Sequence, residues 1–183
     1  MTTDVGVARP DPAALGFLKP EKYAATERER RWLCAGLPDL PVLRAEAIED
    51  LYVDGSRLRL RRATPVGGGE PILRLSKKAD LAPDRRLITT LYLSPAEYAL
   101  FEGLPGRPMR KTRHYYYAAA DVTLSVDRFD GPLAGLFLAE AEFADDAAMA
   151  AFPDPEFAVR EVTDDPRYTG GELVRAGIPD EEG

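Results

Sequence analysis

The sequence predicts an α+β protein built around an antiparallel β-sheet or barrel. Strand signals occupy most of the 183-residue chain, and helix signals are confined to three short segments. Polar and apolar residues alternate with a period of two along several strand segments, as in strands that have one polar and one apolar face. Many consecutive strands with few helices are typical of antiparallel sheets and barrels.

Eight segments carry the strand signal, and turn-forming residues separate several of them. Asp54 and Gly55 form a tight-turn dipeptide, and 66–71 has the composition of a loop. The candidate strands are 23–34, 47–54, 56–63, 71–78, 86–93, 109–117, 121–129 and 136–143.

Three segments have helical character. Ser94 can cap the first, with Pro95 at its first helical position and Glu97 completing a capping box. The second, 144–152, is rich in alanine, and the third lies within 164–176.

The length suits one domain with a sizeable core. We expect a flexible lead-in over 1–20, a folded domain over 21–176 and a disordered tail over 177–183.

The composition of the chain argues against several classes of protein and site. The net charge of −7 argues against non-specific binding of nucleic acid through a basic surface. Cys34 is the single cysteine, so neither an intramolecular disulfide nor a cysteine-based metal site is expected. The start of the chain has no secretory pattern, and no apolar run reaches the ~18 residues of a membrane span. We therefore expect a cytoplasmic protein with no membrane association.

Charged side chains occur in pairs two residues apart on the polar faces of several strands. Such neighbours lie ~7 Å apart and can converge on one ligand. The pairs are Glu27 and Glu29, Arg59 and Arg61, Lys111 and Arg113, and Glu140 and Glu142. For any single strand, a polar face in water explains the alternation equally well. If these faces line a closed barrel, its lumen holds acidic and basic rings, which a polyanion with a divalent metal would neutralise.

The stretch ERERR, 27–31, shows the same alternation within one strand. Glu27, Glu29 and Arg31 share one face. Arg28 and Arg30 lie on the other face with Trp32, which we expect to pack outside against a helix. The charges of this stretch should therefore divide between the two sides of the barrel wall.

ERERR also resembles the Glu-x-Glu-x-Lys signature of the CYTH domain, the triphosphate tunnel metalloenzyme superfamily. The resemblance covers about 21–176, with its motifs in the same order. The other segments that resemble family motifs are DLYVDGSRLRLRR, RLSKK, RKTRHY, VDRFDGPLAGLFLAEAEF and REVTDDPRYTGGEL.

The resemblance implies an eight-stranded antiparallel β tunnel, a closed barrel with a charged lumen and a few helices packed outside. It implies Mg²⁺ or Mn²⁺ as cofactor and a triphosphate-containing small molecule as substrate. The residues it places near metal are Glu27, Glu29, Asp127, Glu140 and Glu142. Those it places near phosphate are Arg31, Arg59, Arg61, Lys78, Lys111 and Arg113. The catalytic candidates are Glu29, Arg31 and Tyr52. Carboxylates suit hard divalent cations, and arginine matches phosphate bidentately.

The sequence departs from the family pattern in two motifs. The signature ends in Arg31 rather than lysine, and arginine is not deprotonated in proteins, so Arg31 can bind phosphate but cannot act as a general base. Family members often carry Arg-x-Glu-x-Glu on the fifth strand, where this chain has Arg86, Ile88 and Thr90. Two acidic groups are thereby lost.

The expected activity is metal-dependent hydrolysis of a triphosphate, with inorganic tripolyphosphate giving phosphate and pyrophosphate. A class IV-type adenylate cyclase and a non-catalytic polyphosphate- or nucleotide-binding module remain alternatives.

His114 has the strand phase opposite to Lys111 and Arg113, so we expect it outside the tunnel. Cys34 is expected to be a packing residue.

Overall fold

Nine antiparallel strands form one sheet, and eight of them close into a barrel. The computed structural model describes residues 11–119 and 122–180. The strands are β1 (Ala25–Cys34), β2 (Val42–Val53), β3 (Leu58–Pro65), β4 (Ile72–Ala82), β5 (Arg85–Tyr92), β6 (Gly106–Ala119), β7 (Val122–Phe129), β8 (Phe137–Phe143) and β9 (Ala158–Glu161). The helices are α1 (Pro20–Tyr23), α2 (Pro95–Phe101), α3 (Asp146–Ala151) and α4 (Gly170–Ala176), with 3₁₀ turns at Gly131–Leu133 and Pro166–Tyr168.

The barrel closes through β1, which has different partners along its length. The strand order is β5-β4-β3-β2-β6-β7-β8-β1-β9, and β1 also pairs with β5. The first half of β1 pairs with β5, from Ala25 opposite Ile88 to Arg28 opposite Arg85. The end of β1 pairs with the short strand β9 instead, while β8 lies on its other side. The closed eight-stranded antiparallel barrel confirms the predicted fold class.

Two apolar clusters lie outside the barrel wall. Trp32 is fully buried and belongs to a cluster with Val126 and Ala141, against which Ala148 and Met149 of α3 pack. Leu60, Leu73 and Leu75 of β3 and β4 form a second cluster with Tyr98 of α2. The helices therefore cover outward-facing apolar side chains, and Trp32 packs against helical residues as the sequence predicted.

A third cluster links the barrel to the C-terminal segment. Met109, Phe129 and Leu138 of β6, β7 and β8 pack with Tyr168 of the second 3₁₀ turn and Leu173 of α4. These five side chains also line the central cavity, so the C-terminal segment covers the cavity on this side.

All eight predicted strands are present, with shifted ends. The largest difference is β2, which begins at Val42 rather than at 47. β9 is an additional strand within the segment that follows α3. Gly55 has a φ of 65°, so the predicted turn between β2 and β3 uses a conformation that glycine favours. Ser94 and Glu97 form the predicted capping box of α2.

The ends of the chain are described in part. In the segment predicted as a flexible lead-in, Phe17 is 5% exposed and packs with Ala79 and Leu87. Residues 1–10 of that segment, residues 181–183 of the predicted tail, and Asp121 at the start of the seventh predicted strand lie outside the described residues. In the part of the chain that the structure covers, no helix has the length and apolar character to cross a membrane.

Candidate active site

The barrel encloses a cavity of about 420 Å³, and half of its described lining residues are charged. Inward positions of all eight barrel strands contribute to it, together with Tyr168, Gly170 and Leu173. The sequence-predicted site residues that line it are Glu27, Glu29, Arg31, Tyr52, Arg59, Arg61, Lys78, Lys111, Arg113, Glu140 and Glu142. The opposite phase of β1 lies outside: Arg28 pairs with Asp146 and Arg30 with Glu161.

The cavity has walls of opposite charge. Among its described lining residues, every carboxylate comes from β1 or β8, and we call this group the acidic wall: Glu27, Glu29, Glu140 and Glu142. The strands from β2 to β6 contribute cations and no carboxylates to the lining, and we call these cations the basic wall: Arg44, Arg59, Arg61, Arg74, Lys78, Arg86, Lys111 and Arg113.

The acidic wall brings like charges face to face. Glu29 is directly opposite Glu142 in the β1–β8 ladder, and Arg31 is opposite Glu140. Like charges directly opposite on one face of a sheet destabilise it. Burial raises the pKa of Glu142, because the charged form of a buried carboxylate is costly when no cation pairs with it.

Glu29 and Glu142 fit a divalent cation by their chemistry. Glu29 is 3% exposed, and its Oε1 atom accepts no hydrogen bond within the described chain, although Arg86 Nη2 lies 3.0 Å away. A buried carboxylate oxygen with spare acceptor capacity suits Mg²⁺ or Mn²⁺. No three acidic, histidine or cysteine side chains of the described residues are already gathered into a metal cage. The acidic wall therefore offers carboxylate ligands without a preformed cluster.

The basic wall is held in place by buried acids. Arg61 donates two hydrogen bonds of 2.7 Å to Asp50, which also lies 3.9 Å from Arg59. Burial would raise the pKa of Asp50, but Arg61 and Arg59 outweigh it and hold the pKa far below its usual range. Asp50 therefore stays ionised and fixes the guanidinium of Arg61.

Asp127 fixes the cations of β6 in the way that Asp50 fixes Arg61. It is 1% exposed and does not line the cavity. Arg113 donates two hydrogen bonds of 2.7 Å to it, and Lys111 Nζ lies 2.5 Å from its Oδ2 atom. Arg113 also pairs with Glu140. The structure thus places Asp127 with the predicted phosphate-binding cations, and its assignment as a metal ligand stays a prediction.

Lys78 joins the two walls. Its Nζ atom donates to Glu27 Oε2 at 2.7 Å. Burial, with the nearby Arg59, lowers the pKa of Lys78 to about 8, although Glu27 favours the charged form. Ser76, which precedes Lys78 on the same face, shares a 3.0 Å hydrogen bond with Thr90.

Sequence similarity agrees with this geometry. No protein-family model matches the sequence. The chain is 33% identical over 155 residues to an inorganic triphosphatase of Nitrosomonas europaea, and the match covers 81% of this chain and 97% of that protein. The chain belongs to the CYTH, or triphosphate tunnel metalloenzyme, superfamily.

Two further comparisons support the CYTH assignment. An inorganic triphosphatase of Acetivibrio thermocellus is 37% identical over 76 residues, which cover 42% of this chain and 47% of that protein. The crystal structure of the inorganic triphosphatase NE1496 superposes with a TM-score of 0.57 at 26% identity, covering 85% of this chain and 98% of that one.

Arg31, at the CYTH signature position, is held by hydrogen bonds to the C-terminal segment. It is 2% exposed, and its guanidinium donates to the backbone oxygens of Thr163 at 3.1 Å and Tyr168 at 3.4 Å. Its Nε atom is buried without a hydrogen-bond partner among the described groups. Arg31 therefore has a spare donor next to Glu29, whose Oε1 atom is 3.7 Å from Nε.

Tyr52 of this CYTH barrel lies against α4. A Cβ atom built on Gly170 would be 2.0 Å from the Tyr52 hydroxyl oxygen, so the aromatic side chain needs a glycine at that position. Burial raises the pKa of Tyr52. The hydroxyl group therefore keeps its proton at neutral pH and can donate it in a hydrogen bond.

The motif positions on the fifth strand face the cavity. Arg86, which matches the family pattern, and Ile88 and Thr90, which depart from it, all belong to the lining. The absence of acids at Ile88 and Thr90 leaves this side of the cavity without carboxylates. His114 is not among the lining residues, in agreement with its predicted phase.

Sequence reasoning missed Asp50, Arg44, Arg74 and Arg86 as site residues. Asp50 and Tyr52 are two apart on β2, so alternation would have placed Asp50 on the inward face. Arg74 and Arg86 belong to no pair of like charges two residues apart, so the pairing pattern does not identify them.

Proposed function

We propose that the chain hydrolyses inorganic tripolyphosphate to phosphate and pyrophosphate with the help of Mg²⁺ or Mn²⁺. The oxygen of water forms a new bond to a terminal phosphorus as the bond from that phosphorus to its bridging oxygen breaks. Pyrophosphate leaves, and a proton of the water passes to it or to the solvent. The triphosphatase relatives support this reaction class.

The observation that carries the proposal is the pair of oppositely charged walls around one cavity. A phosphate chain on the basic wall would face the acidic wall across a narrow space. Phosphoryl transfer depends mainly on positioning and on stabilisation of charge, which such walls provide.

The basic wall would bind and orient the phosphate chain. Arg59, Arg61 and Lys78 would hold it from β3 and β4, and Lys111 and Arg113 from β6. Asp50 fixes Arg61, and Asp127 fixes Lys111 and Arg113. Because these cations are already positioned, little reorganisation is needed when an anion enters. Arg31 would contribute its free Nε atom, and Tyr52 a hydroxyl donor.

The acidic wall would hold the cation, with Glu29 and Glu142 as the central ligands and Glu27 and Glu140 beside them. The bound ion would supply positive charge to the oxygens of the reacting phosphate.

The test is phosphate release from tripolyphosphate and from a nucleotide panel, each with Mg²⁺, Mn²⁺ or EDTA. We expect rapid release from tripolyphosphate with either metal, and loss of at least tenfold in Glu29→Gln. Glu49→Gln is the matched control, since Glu49 is an exposed β2 residue that contacts Arg110 outside the cavity.

Equal rates for wild type and Glu29→Gln would rule out the role of the acidic wall. Cyclic AMP formation from ATP would identify a cyclase instead, and binding without turnover under every metal would identify a binding module.

A further inference from the structure

Arg74 is the exception among the cations of the cavity. Within the described chain, every other cation that lines the cavity has a carboxylate oxygen within 3.9 Å. No described carboxylate forms an ion pair with Arg74, and its Nε atom is buried without a hydrogen-bond partner.

The neighbours of Arg74 increase its need for an anion. It is directly opposite Arg61 on β3 and Tyr92 on β5. The charges of Arg61 and Arg59 act on it, and burial together with these charges lowers the pKa of Arg74. Asp50 neutralises Arg61 but does not pair with Arg74. A partly buried charge without a counter-ion is costly, and like charges opposite each other add to that cost.

Arg74 also extends the phosphate-binding surface along the barrel. It lies on the same face of β4 as Ser76 and Lys78. Four residues of strand separate the Cα atoms of Arg74 and Lys78 by about 13 Å. The two side chains can therefore contact different phosphates of one chain.

The surroundings of Arg74 mark the outer end of this surface. Tyr92 is 74% exposed and lines the cavity beside Arg74, so the cavity opens to solvent at this point. Tyr115 lies there too, but its hydroxyl group donates to Glu46 and Arg44 stacks on its ring. Arg44 pairs with Glu46 as well, which leaves Arg74 as the free cation at this end of the described cavity.

We propose that Arg74 is a phosphate-binding residue of an outer subsite, which lets the cavity accept linear phosphate chains of more than three units. This inference rests on the proposed function, because it assumes that the basic wall holds a phosphate chain. The outer subsite would bind the phosphates that extend past Arg61 toward Tyr92.

The test is isothermal titration of pyrophosphate, tripolyphosphate and tetrapolyphosphate in EDTA, where binding is measured without turnover. For Arg74→Gln we expect tetrapolyphosphate affinity to fall about tenfold, the usual scale for losing a charged hydrogen-bond partner. Pyrophosphate affinity should change less than twofold, because the shorter anion is held further in. Arg110→Gln is the control for the loss of one positive charge, since the exposed Arg110 lies outside the cavity on β6.

A folding check accompanies the titration. Because Arg74 carries an uncompensated charge, Arg74→Gln should unfold at the same or a higher Tm than wild type in ligand-free buffer. Tetrapolyphosphate affinity within twofold of wild type in Arg74→Gln would overturn the inference, and so would an equal loss for pyrophosphate. In either case the proposed function stands if wild type still hydrolyses tripolyphosphate. Failure of wild type to bind any of the three anions would also overturn the inference, whereas the proposed function is overturned only if wild type releases no phosphate from tripolyphosphate with Mg²⁺ or Mn²⁺.

Discussion

Glu29 of β1 and Glu142 of β8 are directly opposite each other, and both side chains line the cavity. Two facing carboxylates repel each other. Arg86 and Arg31 lie 3.0 and 3.7 Å from Glu29 and offset part of this repulsion, whereas Glu142 forms no ion pair with a described residue. We therefore expect Glu142 to serve cation binding rather than stability.

Glu142→Gln should therefore separate stability from activity. In EDTA the variant should melt about 2 °C higher than wild type, because one of two facing charges is removed. With Mg²⁺, phosphate release from tripolyphosphate should fall at least tenfold. Scanning calorimetry and a phosphate assay measure the two effects, with Glu49→Gln as the exposed control. A lower Tm in EDTA, or unchanged turnover, would contradict this role for Glu142.

Asp50→Asn should have the opposite effect on stability. The substitution leaves the buried Arg61 guanidinium without its partner, which typically costs about 3 kcal/mol or more. Urea unfolding at pH 7 measures the loss. The control is Asp54→Asn, because Asp54 is exposed and lies 3.9 Å from Arg107. Similar unfolding free energies for the two variants would show that the Asp50–Arg61 pair does not stabilise the barrel.

The pH dependence of stability follows from the same pair. The pKa of Asp50 is lowered in the folded protein, so its stabilising effect is complete above the unfolded pKa of about 3.9 and is lost as the pH falls below it. Wild type should lose unfolding free energy steeply below about pH 4. Asp50→Asn should show a shallower slope over the same range, measured by urea unfolding at each pH. Parallel slopes would mean that Asp50 has an ordinary pKa.

Gly170→Ala tests the contact between α4 and Tyr52. A Cβ atom would come within 2.0 Å of the Tyr52 hydroxyl oxygen, so the tyrosine or the helix must move. We expect destabilisation of about 1–3 kcal/mol and a marked fall in turnover. Gly171→Ala is the neighbouring control, because its Cβ would meet nothing within 4 Å. If both variants behave alike, the close approach at Gly170 has no functional importance.

The charge pattern of the barrel wall was predictable because it depends on backbone geometry. Side chains alternate along any strand, so ERERR had to divide between two faces. The structure places Glu29 in the cavity and Arg30 outside, where it pairs with Glu161. Capping of α2 was predictable for a similar reason, since Ser94 and Glu97 satisfy local backbone groups.

The features that escaped prediction depend on packing between distant segments. The start of β2 has alanines at 45 and 47 on its outward face, while the apolar Ile48 shares the face of Glu46, so the period-two signal is weak. β9 is four residues long and is held by the end of β1. The ion-pair partners of a buried acid also cannot be predicted from one sequence. The residues near Asp127 in the chain do not indicate that it pairs with Lys111 and Arg113.

Cys34 should resist alkylation in the native protein. Burial raises the pKa of its thiol to about 11, and the thiolate is the reactive form. With iodoacetamide at pH 8, mass spectrometry should find little modification until a denaturant is added. Rapid labelling of the native protein would show that the cluster around Trp32 opens readily.

We propose that one cavity holds a divalent cation on β1 and β8 and a phosphate chain on the strands opposite. Anomalous diffraction from crystals containing Mn²⁺ and a non-hydrolysable imidotriphosphate measures both positions at once. We expect the Mn²⁺ signal within coordinating distance of Glu29 and Glu142, and the phosphate oxygens at Arg59, Arg61 and Arg113. Manganese bound only outside the barrel, or the anion held by the outward-facing Arg28 and Arg30, would contradict the assignment of the cavity as the active site.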